Sequence, residues 1–120
     1  MSVNENEIKA AKEFLKSYGV CKQMLDADEY AESYGGAEPR LCDRIILRAK
    51  MSRVEDFIRS LPVCREQNLL FCHYVGGHSV EFCGEMMYLS RRTAYRVLDR
   101  AHRLVAERLS LFGNFEGECS

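Results

Sequence analysis

Six arginines, at positions 91, 92, 96, 100, 103 and 108, fall within residues 91–109, where only Asp99 and Glu107 oppose them. A guanidinium is a planar fork that grips a phosphate, or the O6/N7 edge of guanine, through two hydrogen bonds at once. Thr93 and Tyr95 lie among these arginines and can reach phosphates, base edges or thymine methyls. The remainder of the chain is neutral or acidic: residues 1–34 carry seven acids and four lysines, and residues 35–90 seven charges of each sign. The formal net charge of -1 therefore hides a local positive footprint of the kind that nucleic acids attract.

Other candidate chemistries are weaker. Cys72, His73, His78 and Cys83 are the best metal-ligand set, but their spacing matches no zinc arrangement, and no metal or other cofactor is expected. Cys21, Cys42, Cys64, Cys72, Cys83 and Cys119 include no CxxC pair and read as reduced, small, buried side chains. No nucleophile elbow, phosphate loop or zinc-protease motif is present, so no enzyme is expected. Asp26, Asp28, Glu29 and Glu32 read as a solvated helix end. No apolar run approaches the ~18 residues of a membrane span. The opening MSVNENEIKAAKEF lacks the basic-then-apolar order of a signal peptide. The expectation is a cytoplasmic protein without a membrane partner.

The elements that must position the arginines are helical. Ile8, Ala11, Leu15, Tyr18, Cys21 and Leu25 recur at three- and four-residue steps, after a cap at Asn4 or Asn6. Gly35-Gly36-Ala37-Glu38-Pro39 reads as a loop. A second helix spans about Arg40 to Ser60, with Leu41, Ile45, Leu47, Met51, Val54, Phe57, Ile58 and Leu61 inward. A third covers Arg65–Val75, ended by the left-handed backbone that Gly76-Gly77 can supply. No stretch alternates with period two, so no sheet is expected.

Two short helices follow, and from Ser79 to Leu109 the spacing predicts a helix-turn-helix. Ser79 caps the first and Ser90 the second, with Met87-Tyr88-Leu89 between. Gly84 is small where the helices must cross, and Cys83, Met87, Leu89, Ala94 and Val97 face a shared core. Arg91, Arg92, Thr93, Tyr95, Arg96 and Arg100 are left outward. The first turn of such a helix enters the major groove most deeply, so Arg91, Arg92, Thr93 and Tyr95 are candidates for base contact. Arg96, Arg100 and Arg103 suit backbone phosphates, and Ser79 with His78 can donate to another phosphate.

The stretch LLFCHYVGGHSVEFCGEMMYLSRRTAYRVLDRAHRLV resembles region 4 of sigma-70-type RNA polymerase sigma factors, and especially the short sigma-like regulators of prophages. The matching positions are Tyr74, Val75, Gly77, Ser79, Ser90, Arg92 and Thr93, with the Arg100-Ala101 step beyond. Tyr88 departs from the glycine usual at that turn, so tyrosine either carries left-handed strain or the turn takes another form. Gly84 departs from the more frequent alanine. The resemblance implies a transcriptional regulator of phage or mobile-element origin that binds double-stranded DNA.

The expected architecture is all-α: an N-terminal helical region over 1–61, a sigma region 4-like domain over 62–112 and a flexible tail over 113–120. The first region either completes the core or offers its Ile8–Leu25 stripe to RNA polymerase or to a second copy, making a homodimer with paired half-sites. The alternative function is a protein-binding module that docks on RNA polymerase, a sigma factor or another host protein, with DNA contact secondary.

Overall fold

Asn4 opens the first helix through a reciprocal cap. Its Oδ1 accepts from the Glu7 amide at 2.8 Å while the Glu7 carboxylate accepts from the Asn4 amide at 3.2 Å. This helix, α1, runs over Glu5–Ser33 in the computed structural model, which describes residues 3–34 and 41–119. All regular structure among those residues is helical. The loop expected at Gly35–Pro39 and the helix start expected at Arg40 lie outside them, as do Ser120 and the side chains of Leu41, Cys42 and residues 112–119, so the expected burial of Cys42 and Cys119 lies outside too.

The acidic stretch does not end α1. Asp28 and Glu32 receive the guanidinium of Arg44, whose side chain is only 12% exposed. Buried charge of one sign needs its counter-charge close by, and Arg44 therefore takes an inward position on α2 (Leu41–Arg59). This corrects two expectations. Asp28 and Glu32 form a clamp while Asp26 and Glu29 stay exposed as a solvated end would be, and Ile45, expected inward, is 66% exposed one step beyond Arg44. Val54, Ile58 and Leu61 are buried as the periodicity requires. The Phe14 and Phe57 rings meet edge to face at 5.2 Å while Asp28, later on α1, meets Arg44, earlier on α2, so α2 runs antiparallel to α1.

Gln67, on the short α3 (Arg65–Leu70), turns back to close α2. Its amide nitrogen donates to the carbonyls of Ile58, Arg59 and Leu61 at 3.1–3.3 Å, supplying partners that the end of a helix otherwise lacks. The chain then widens into a π turn over Phe71–Val75, closed by Gly76 N–H donating to the Phe71 carbonyl at 2.9 Å. Gly77 follows with φ +74°, the left-handed conformation that glycine adopts without penalty.

Two helices complete the fold, α4 over Val80–Met86 and α5 over Arg91–Cys119, the latter continuing beyond residue 112. One buried cluster takes Ala11 and Leu15 from α1, Val54 and Ile58 from α2, Leu69 and Leu70 from α3, Cys83 from α4, and Ala94, Val97, Ala101 and Val105 from α5. It thus draws on both sides of position 61. The α1 stripe offered above to a second copy or a polymerase is covered inside the chain, because α2 and α5 pack on it and Ala11, Leu15, Tyr18, Cys21 and Leu25 are all buried.

Candidate nucleic-acid interface

Ser79 begins α4, its hydroxyl accepting from the Phe82 amide at 3.1 Å. The end of α4 is a Schellman motif: the Leu89 amide donates to the Gly84 carbonyl at 2.8 Å and the Tyr88 amide to the Glu85 carbonyl at 3.1 Å. Between these bonds Tyr88 has φ +58°. Of the two alternatives left open by the sequence, tyrosine in the left-handed conformation is the one realised. Its side chain is 97% exposed, so no buried contact offsets a strain of about 1–2 kcal/mol.

Ser90 opens α5 in the same manner, accepting from the Thr93 amide at 3.2 Å while its hydroxyl donates to the Thr93 Oγ1 at 2.9 Å. The crossing of α4 and α5 is very close. A Cβ placed on Gly84 would stand 2.8 Å from that of Ala94, inside van der Waals contact. With Ala94, Val97, Leu98 and Ala101 buried against the core, α5 has one orientation, and its opposite face must meet solvent.

That face carries the expected residues, in different states of engagement. Arg92, Thr93, Tyr95, Arg96 and Arg100, with Asp99, line a shallow open depression of about 660 Å³. Arg92 and Arg96, one helical turn apart and exposed, have no ion-pair partner among the described residues. Arg100 pairs with Glu66 of α3 at 3.7 Å, and Arg103 with Asp99 at 3.3 Å. Burial pushes the Glu66 carboxyl up, but its own backbone N–H, the Cys64 thiol, Arg100 and Arg65 together pull it below the usual range. Thr93 is half-buried and held by Ser90. Ser79 stands apart from these, at the start of α4.

Glu81 was not singled out by sequence, yet it joins α4 to this face. Its Oε2 accepts from the Tyr95 hydroxyl at 2.9 Å and pairs with Arg91 at 3.5 Å. Its own backbone N–H, Tyr95 and then Arg91 hold the carboxyl below the usual range, while the same hydrogen bond pushes the Tyr95 phenol up. An acid ten residues ahead of an arginine cluster was the available signal; only the tight turn brings it across.

The histidines and cysteines nearby serve packing. His73 Nδ1 donates to the His78 carbonyl at 2.7 Å, and the His78 ring lies on Phe82 at 4.6 Å. Burial, with Cys72 beside it, pushes the Cys83 thiol up to about 12. Among the described residues no three His, Cys, Asp or Glu side chains converge as metal ligands would, and no helix is long and apolar enough to cross a membrane. Compared with family models, curated proteins and solved structures, the chain matches none.

Proposed function

We propose that the chain is a DNA-binding transcriptional regulator in which α4, the Schellman turn and α5 act as a helix-turn-helix of the sigma region 4 kind. The observation that carries this reading is the exposed row Arg92, Arg96, Arg100 and Arg103 on a helix whose opposite face is locked into the core. Rigid backing matters, because a reader must hold its donors in register with the groove. Arg92 and Arg96 are unpaired among the described residues and provide the primary contacts. Arg91, Thr93 and Tyr95 reach toward base edges, and Arg100, Arg103 and Ser79 toward phosphates.

Fluorescence anisotropy against duplexes selected from random DNA tests this. Arg92→Ala weakens binding to a selected duplex by about 1–3 kcal/mol. Affinity falls steeply with salt, since each neutralised phosphate adds about 0.9 to the log–log slope. Absence of salt-sensitive binding by the unaltered protein removes the reading.

One observation favours a protein-docking alternative. Phe82, Met86 and Tyr88 are 43%, 64% and 97% exposed on α4 and its turn, an apolar group that DNA contact does not use. In that version the same unit docks on RNA polymerase or another host protein. Pull-down with and without nuclease separates the two, because loss of the partner after nuclease favours DNA.

A further inference from the structure

Glu81, Arg91 and Tyr95 close a triangle on the face assigned to DNA. The Glu81 carboxylate takes the Tyr95 hydroxyl proton donor at 2.9 Å and the Arg91 guanidinium at 3.5 Å, and that guanidinium lies 5.9 Å from the centroid of the Tyr95 ring. We propose that Glu81 is an internal stand-in for a DNA phosphate, holding Arg91 and Tyr95 in the free protein and releasing them only to a duplex that competes successfully, so that it sets specificity. This rests on the DNA-binding reading above.

The strength of the contact suits exchange rather than support. The Arg91 and Glu81 side chains are 76% and 42% exposed, and exposed pairs are weak and screened by salt. The close crossing of Gly84 and Ala94 and the buried face of α5 hold the two helices without it. A carboxylate and a phosphate oxygen are interchangeable partners for a guanidinium and for a phenol donor. A random duplex gains Arg91 only by displacing Glu81 and then lies against its negative charge. A cognate duplex gains base contacts from the freed Arg91 and Tyr95 that offset this. Arg92 and Arg96 need no such release.

The test is Glu81→Gln, which removes the charge and keeps the shape and an acceptor for Tyr95. Binding is measured to a random 20-base-pair duplex and to a duplex selected for tight binding, across a salt series. The variant should bind the random duplex roughly three- to tenfold more tightly, with a slope steeper by about 0.9 and a lower selected-to-random ratio. Unchanged or weakened binding by a variant whose parent does bind DNA overturns the gate and leaves the DNA reading standing. If neither protein binds DNA in a salt-sensitive way, the DNA reading falls and the gate with it. Titration of the Tyr95 phenol by NMR tests the contact without DNA: with the Glu81 contact present it sits above the ordinary value in the parent and drops in the variant. An ordinary Tyr95 value in the parent overturns the contact itself.

Discussion

The Tyr74 hydroxyl lies 2.6 Å from Nε2 of His102, tying the π turn to the middle of α5. His102 is 6% exposed, and burial, with Lys12 and Lys16 of α1 and His73 adding to it against Asp99, lowers its pKa to about 4. The ring is therefore neutral at neutral pH and accepts from the phenol, which burial pushes up to about 12.

This pairing predicts a defined acid sensitivity. An unfolded histidine takes its proton near pH 6.5, whereas His102 in the fold resists protonation down to about pH 4. Between those values the unfolded chain binds more protons, so stability falls as pH drops, by about 3 kcal/mol in all; above pH 6.5 this residue adds no slope. Urea midpoints across pH 7.5 to 4 measure the effect. His102→Gln should flatten that part of the curve, and an unaltered curve would count against it.

Gln67 predicts a cost for a half-buried polar side chain. Gln67→Ala takes the side-chain donor from the carbonyls of Arg59 and Leu61, while Ile58 keeps the Leu61 amide, and should cost about 1–2 kcal/mol. Circular dichroism during urea unfolding reads the loss. A change under 0.3 kcal/mol would mean that water replaces the amide freely.

Tyr88 predicts the opposite sign. Tyr88→Gly removes the left-handed strain but loosens the unfolded chain, leaving a net gain of about 0.5–1 kcal/mol. The melting temperature should rise by about 1–5 °C. A fall would show that the exposed ring makes a stabilising contact after all.

Gly84→Ala sets two effects against each other. Alanine gains about 1 kcal/mol of helix propensity, while forcing a methyl to 2.8 Å from Ala94 costs about 1–3 kcal/mol. Packing wins, because the obstructing atom is a Cβ and cannot swing away. The variant should melt lower and, on the DNA reading, bind a selected duplex less tightly as α5 tilts.

Much of this was legible in the residues. Ser79 and Ser90 precede apolar-periodic segments and cap them, and Gly84 is small where two helices must nearly touch. The arginine face follows from the burial of Ala94, Val97 and Ala101. What escaped was polar and distant in sequence. Periodicity counts apolar side chains, so it left Asp28 and Glu32 to solvent and pointed Ile45 inward, blind to Arg44 sixteen residues after Asp28 as their partner. Gln67 and Glu81 act across turns whose direction depends on tertiary packing. The π turn arises from one extra residue per turn, a shift too local for a helical pattern to reveal.

The packing of α1 on α5 also sets a timetable. Ala11 and Ala101 belong to the same core but leave the ribosome about ninety residues apart, roughly 5–20 s at usual rates of synthesis. Through that interval the Ala11–Leu25 stripe has α2 for company but not its final cover. The core shared by α1 and α5 is complete only once residues 94–105 have been made.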